Sequence, residues 1–189
     1  MDLPLWAKGA VRGLERADAL DPVAGRLAAA SRRVVRDGPV ADLLHGTWLG
    51  HPLHPVLTDL PIGFWTSAFV LDLFGGDEQA PAARELVGWG VVSAVPTALA
   101  GLVDWRDIDD PPSRRLGTAH AACNVVALAC YTASWAVRRR RRSTLGIALG
   151  FVGATAASIA GFLGGELVFG SDDDDEDDVD VDDWGAYQA

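Results

Sequence analysis

The chain has 189 residues, of which 49% are hydrophobic and 22% charged, and a formal net charge of −10. Ten of the 26 acidic residues crowd into the last 18 positions, and the remaining sixteen carboxylates are matched by sixteen Lys and Arg. The acidity is therefore that of a tail, not of a soluble acidic domain. The basic runs carry no interleaved aromatic residues, which excludes a nucleic-acid-binding face.

Charged residues recur every few positions through Met1–Ala30, so no secretory signal peptide is expected. Asp21-Pro22 reads as a cap followed by proline at the first helical position, opening an amphipathic helix through about Arg36. Val23, Leu27 and Val34 line one side of it. Such a helix suits either the membrane interface or the end of a helix bundle. Gly38-Pro39 ends it, and a short helix follows over Val40 to His45, which closes an N-terminal segment of residues 1–48. The proline after each of His51 and His54 predicts extended backbone for both, on a loop leading into the first apolar run.

Four long apolar runs come next, at about 56–74, 86–103, 116–137 and 145–169. At about 1.5 Å per residue, each matches a hydrocarbon core roughly 30 Å thick. The third and fourth runs have no polar face to offer water, whereas a soluble bundle helix keeps one. Their Gly- and Ala-rich interiors suit close packing in lipid, and Pro96 within the second is easier to accept there. Short connections force neighbours antiparallel. The expected fold is all-α: an up-down-up-down four-helix transmembrane bundle over residues 49–170, multi-pass in the cell membrane, with lipid as its surroundings. Cys123 and Cys130 lie on one helix about 10 Å apart along its axis, too far for a disulfide.

The acidic stretch over 171–189 has little to fold around and reads as a disordered tail. Orientation stays open. Arg138 to Arg142 in one short loop favour a cytoplasmic position for it, but ten of the sixteen basic residues lie on the opposite side.

Alternating helix direction gathers polar groups at one end of the bundle. His51, His54 and Asp59 precede or open the first span, Asp104 closes the second, His120 and Asn124 open the third, and Glu166 closes the fourth. Ionisable groups at membrane depth are functional candidates by default. Imidazole ligates transition metals and haem iron, which makes His51, His54 and His120 the candidate cofactor ligands. No histidine pair at helical spacing, cysteine pair, phosphate loop or nucleophile motif supplies an independent assignment.

Several segments together resemble one family. Leu49-Gly-His-Pro-Leu-His-Pro-Val-Leu-Thr-Asp-Leu-Pro-Ile-Gly-Phe-Trp65, Leu71-Asp72, Pro96-Thr-Ala-Leu-Ala-Gly-Leu-Val-Asp-Trp105, His120-Ala-Ala-Cys-Asn124 and Gly161-Phe-Leu-Gly-Gly-Glu-Leu167 are similar, in order, to bacterial membrane proteins grouped as domain of unknown function 2231. The resemblance spans about residues 40–170. It implies a four-span membrane domain, in some relatives followed by a Rieske-type iron–sulfur domain, and no established activity. Glu166 stands where similar proteins often carry histidine, which removes one imidazole ligand. No Rieske domain follows here, so an electron-transfer role would require a separate iron–sulfur partner.

The leading expectation is a non-enzymatic membrane module carrying a ligand at its polar end. The alternatives are a haem- or metal-binding redox protein, and a small proton- or cation-coupled transporter using Asp59, Asp104 and Glu166. Substrate, cofactor and oligomeric state are not fixed by the residues.

Overall fold

A computed structural model describes residues 4–138 and 143–177. Its regular elements are helices: α1 (Leu5–Glu15), a single 3-10 turn (Asp18–Leu20), α2 (Asp21–Val34), α3 (Pro39–His45), α4 (Leu53–Phe74), α5 (Ala80–Arg106), α6 (Pro111–Val137) and α7 (Thr144–Asp177). The last four each contain a stretch long and apolar enough to cross a membrane. Outward-facing Val56, Ile62, Val92, Val125, Val152 and Ile159 leave these helices with an apolar exterior, the surface that lipid would cover.

α4 packs mainly on α5, and α6 on α7. Contact between α5 and α6 is less extensive, and that between α4 and α7 is sparse. The bundle is thus two tight hairpins side by side, with α4 and α6 diagonal to one another. Large side chains meet along the axis between those two helices. The Trp65 and Tyr131 rings stack with centres 4.0 Å apart and planes 8° from parallel. The close approach relies on glycine, because a Cβ at Gly90 would collide with the Trp65 indole and one at Gly153 would lie 3.0 Å from the Tyr131 ring.

Two prolines lie inside the spans, Pro61 in α4 and Pro96 in α5. Pro61 has no N–H to give the carbonyl of Leu57 one turn earlier. The Thr97 hydroxyl of α5 shares its proton between that carbonyl at 3.1 Å and the Ser93 carbonyl of its own helix at 2.9 Å. A neighbouring helix thereby satisfies the group that proline orphans, as it must where no water is at hand.

The N-terminal segment packs against the end of the bundle, one of the two placements its amphipathic pattern suits. Ala24 and Ala28 of α2 are buried against Trp105, and Val35 and Ala41 against Val103. Helix α1, which the sequence reading did not foresee, buries Val11 against Leu116 and Leu163. Three polar latches reinforce the apolar contact. Arg115 donates to both carboxylate oxygens of Asp21 at 2.7 and 2.8 Å and to the Glu15 carbonyl. Arg106 pairs with Asp37 at 2.9 Å and caps the Val35 carbonyl. His45 faces Asp104 and Asp107. Asp110 caps α6 by accepting from the Ser113 backbone N–H, and that bond holds its carboxyl below the usual range.

Helical backbone in α7 continues to Asp177, past the expected end of the fourth span at 169 and into the acidic stretch. The remainder of the expected tail, residues 178–189, lies outside the described residues.

Candidate functional site

His54 sits in the first turn of α4, not on an extended loop. Pro55 can follow it within the helix because the first-turn N–H groups have no intrahelical acceptor, so a missing donor there costs nothing. From that position the His54 Nδ1 donates to the backbone carbonyl of Thr97 on α5 at 2.9 Å. Gly101, one turn further along α5, makes room: a Cβ there would stand 2.7 Å from the imidazole.

His120 does the same in the other hairpin. Its Nδ1 donates to the Ala160 carbonyl of α7 at 2.8 Å, and Gly164 clears the ring. A carbonyl can only accept, so each Nδ1 carries the proton and each Nε2 is left as the ring's acceptor. Tautomer and orientation are therefore fixed by backbone on both sides. The Asn124 amide donates to His120 Nε2 at 3.0 Å and to the His120 carbonyl at 3.2 Å. The two imidazoles lie 6.2 Å apart, centre to centre, with planes at 84°. Both are half-buried.

Asp104 lies on α5 one turn beyond Gly101. Its carboxylate accepts from His45 Nδ1 at 2.6 Å, and His45 Nε2 approaches Asp107 at 3.3 Å. His45 belongs to this polar group although the sequence reading used it only to end a short helix. The signal was available, because the antiparallel order places the end of α5 beside that helix.

Other expected members stand apart. His51 is exposed, and its Nδ1 donates to the Pro52 carbonyl of its own loop at 3.2 Å. Asp59 is exposed on α4. Glu166 is half-buried, with a carboxylate oxygen toward Gly170. The structure thus brings together His54, His120 and Asn124, pairs Asp104 with His45 at the same end of the bundle, and leaves His51 and Asp59 exposed. Cys123 and Cys130 are unbridged. Among the described residues, no three His, Cys, Asp or Glu side chains converge as a metal cage would require.

The opposite end of the bundle holds a feature not foreseen from sequence. Asp72 of α4 and Arg138, just past α6, are both buried and form a bidentate ion pair at 2.7 and 2.5 Å. The same guanidinium donates to the Ser134 hydroxyl and the Gly146 carbonyl. The Arg138 carbonyl accepts from Arg84, whose guanidinium lies 5.3 Å from the centre of the Trp135 ring. Every part of this pair is engaged, so it reads as a structural closure. The Trp65–Tyr131 stack separates it from the histidines.

No curated protein and no solved structure matches the chain. Residues 50–172 match the family described as Predicted membrane protein (DUF2231), the region that holds all four long helices except the end of α7. That match covers well over half of the sequence, and the chain belongs to this family of membrane proteins of unknown function.

Proposed function

We propose that the protein is a non-enzymatic module of the cell membrane that binds haem between His54 and His120. The observation that carries this is the pair of perpendicular imidazoles 6.2 Å apart, each fixed through Nδ1 to a backbone carbonyl. Two imidazoles sharing one metal have ring centres roughly 3.2 Å from it on each side, given metal–nitrogen bonds of about 2.0–2.1 Å. The spacing thus matches one metal between them. Holding Nδ1 by a carbonyl is also how proteins orient a ligating histidine and raise its basicity.

Haem is favoured over a bare ion by ligand number. A structural or catalytic zinc needs three or four protein ligands, and no third side chain of that kind converges here among the described residues. Haem brings four nitrogens of its own and needs only axial ligands. When bound, it would supply one-electron redox chemistry. The chain's own residues would hold the two imidazoles, with Gly101 and Gly164 leaving the rings their space and Asn124 yielding His120 Nε2 to iron. An iron–sulfur protein is the electron partner that the resemblance implies.

The transporter reading is weaker on geometry. Asp59 is exposed, while the stacked Trp65 and Tyr131 fill the axis along which an ion would pass.

The test is the visible spectrum of full-length, detergent-solubilised protein from haem-replete cells, repeated after titration with haemin, with metal content measured in parallel. The expected result is a Soret band at one haem per chain, lost in His54→Ala and His120→Ala and kept in His51→Ala. Colourless protein that takes up no haemin overturns the proposal.

A further inference from the structure

We infer that the four-span bundle is one two-helix unit used twice, and that the Asp72–Arg138 ion pair makes each unit select the other over a second copy of itself. The buried positions of α4 are Pro61, Trp65, Ala68 and Asp72. Each recurs 66 residues later as a buried position: Ala127, Tyr131, Ser134 and Arg138. In the second helix of each unit the shift is 63. Ala83, Val87, Gly90, Thr97 and Ala100 of α5 are buried, and so are Gly146, Gly150, Gly153, Ala160 and Leu163 of α7. Between equivalent positions, the second unit's connection is three residues shorter.

The contacts repeat along with the burial. His54 donates to the Thr97 carbonyl beside Gly101, and His120 to the Ala160 carbonyl beside Gly164. Trp65 rests on Gly90, and Tyr131 on Gly153. Between the units, equivalent positions meet each other: His54 with His120, Trp65 with Tyr131, and Asp72 with Arg138. A residue that touches its own equivalent lies on a two-fold axis. Because α4 and α6 run in the same direction, this axis runs along the bundle.

The three axial pairs differ in what they permit. A histidine facing a histidine, or an aromatic ring facing another, fits equally well if a unit pairs with its own copy. The third pair does not. Two first units would bury Asp72 against Asp72, and two second units Arg138 against Arg138. Like charges facing each other in a buried contact are costly, and specificity of this kind comes from penalising the wrong partner. Only the unlike pairing is neutral. The partner that the α4 surface fits is therefore the second unit of this chain, whether from the same molecule or, by exchange across the connection at 107–110, from another.

The test reassigns the code in full-length protein. Asp72→Arg puts arginine at both equivalent positions, and Arg138→Asp puts aspartate at both. Carrying different affinity tags and co-expressed, these two variants are expected to co-purify as an exchanged pair. The yield should be on the order of tenfold above that of either variant with its own differently tagged copy. The doubly reversed Asp72→Arg/Arg138→Asp chain, neutral again within one molecule, is expected to return to wild-type size in detergent and to regain most of the thermal midpoint lost in the single variants. Mixed pairing no greater than same-variant pairing, or a doubly reversed chain no more stable than the weaker single variant, overturns the inference. Haem uptake is not a readout here, so this outcome is independent of the proposed ligand.

Discussion

The two ends of the bundle axis handle polar groups in opposite ways. At the loop end, Asp72 and Arg138 are buried and satisfy one another, with Ser134, Gly146 and Arg84 taking up the remaining bonds. At the other end, His54 and His120 are half-buried and each is anchored through Nδ1 to a backbone carbonyl, with the Asn124 amide on the Nε2 of His120. A fully engaged buried pair has its chemistry consumed in holding the fold. An imidazole locked at Nδ1 by backbone, whose acceptor nitrogen meets at most one exposed side-chain amide, keeps a nitrogen that can be given over to a ligand. The lesson is that ionisable groups at membrane depth divide by what remains unengaged, not by their charge.

Removing one partner at the loop end should give the largest effect. Arg138→Met strands the Asp72 carboxylate in an apolar setting, and breaking a buried pair in this way costs about 3–5 kcal/mol. Denaturant unfolding in detergent should register that loss, while Asp72→Asn/Arg138→Met should recover much of it. His54→Ala at the other end removes one hydrogen bond onto a carbonyl that also belongs to a helix. Its cost should stay within about 0.5–1.5 kcal/mol. A His54→Ala protein as unstable as Arg138→Met would erase the distinction between the ends.

The stacked pair midway offers a finer comparison between the hairpins. A Cβ at Gly90 would collide with the Trp65 indole, whereas one at Gly153 would meet the Tyr131 ring at 3.0 Å. Overpacking of this sort costs about 1–3 kcal/mol. Gly90→Ala should lie toward the upper end and Gly153→Ala toward or below the lower. Thermal midpoints of the two variants in the same detergent check the order, and near-ultraviolet circular dichroism reports whether the Trp65–Tyr131 stack survives.

Much of this architecture could be read from the residues. Four apolar runs and short connections were sufficient for a four-helix bundle, and alternating direction was sufficient to send His54, His120, Asn124 and Asp104 to one end. What escaped depends on side-chain direction and on pairing across long separations. His51 and His54 look equivalent in the sequence, yet the helix begins between them at Leu53, leaving one on the loop and the other in the first turn. His45 joins Asp104 across 59 residues. The Asp72–Arg138 pair was hidden because Asp72 reads as an interruption of an apolar run and Arg138 as the first member of an arginine run. The repeat was hidden by its chemistry. Trp65 corresponds to Tyr131 and Asp72 to Arg138, so position and burial are kept where residue type is not.

The N-terminal latches carry the comparison outside the bundle, where smaller effects are expected. His45 is 40% exposed and Asp104 24%, so their pairing contributes only about 0–1 kcal/mol after screening by solvent. His45→Gln should leave global unfolding nearly unchanged while quickening proteolysis between Val35 and Trp48. Faster cleavage within α4 to α7 would show instead that the latch supports the bundle itself.

The smallest effect belongs to Asp21. Its hydrogen bonds from Arg115 hold its carboxyl below the ordinary value of 3.8. A carboxyl whose folded-state pKa is depressed contributes stability in full above its unfolded pKa, and that contribution disappears as pH falls through the lower folded value. The Asp21–Arg115 latch should therefore be constant from neutral pH down to about pH 4 and weaken only below it. Release of the N-terminal segment on acidification, followed by limited acid proteolysis, should occur at higher pH in Asp21→Glu, where the longer side chain spoils the two-pronged fit. It should show no such step in Asp21→Asn, which has no proton to gain. An acid step that persists in Asp21→Asn would reassign the acid-sensitive latch to Asp18 or Asp37, whose carboxylates pair with Arg115 and Arg106 between this segment and the bundle.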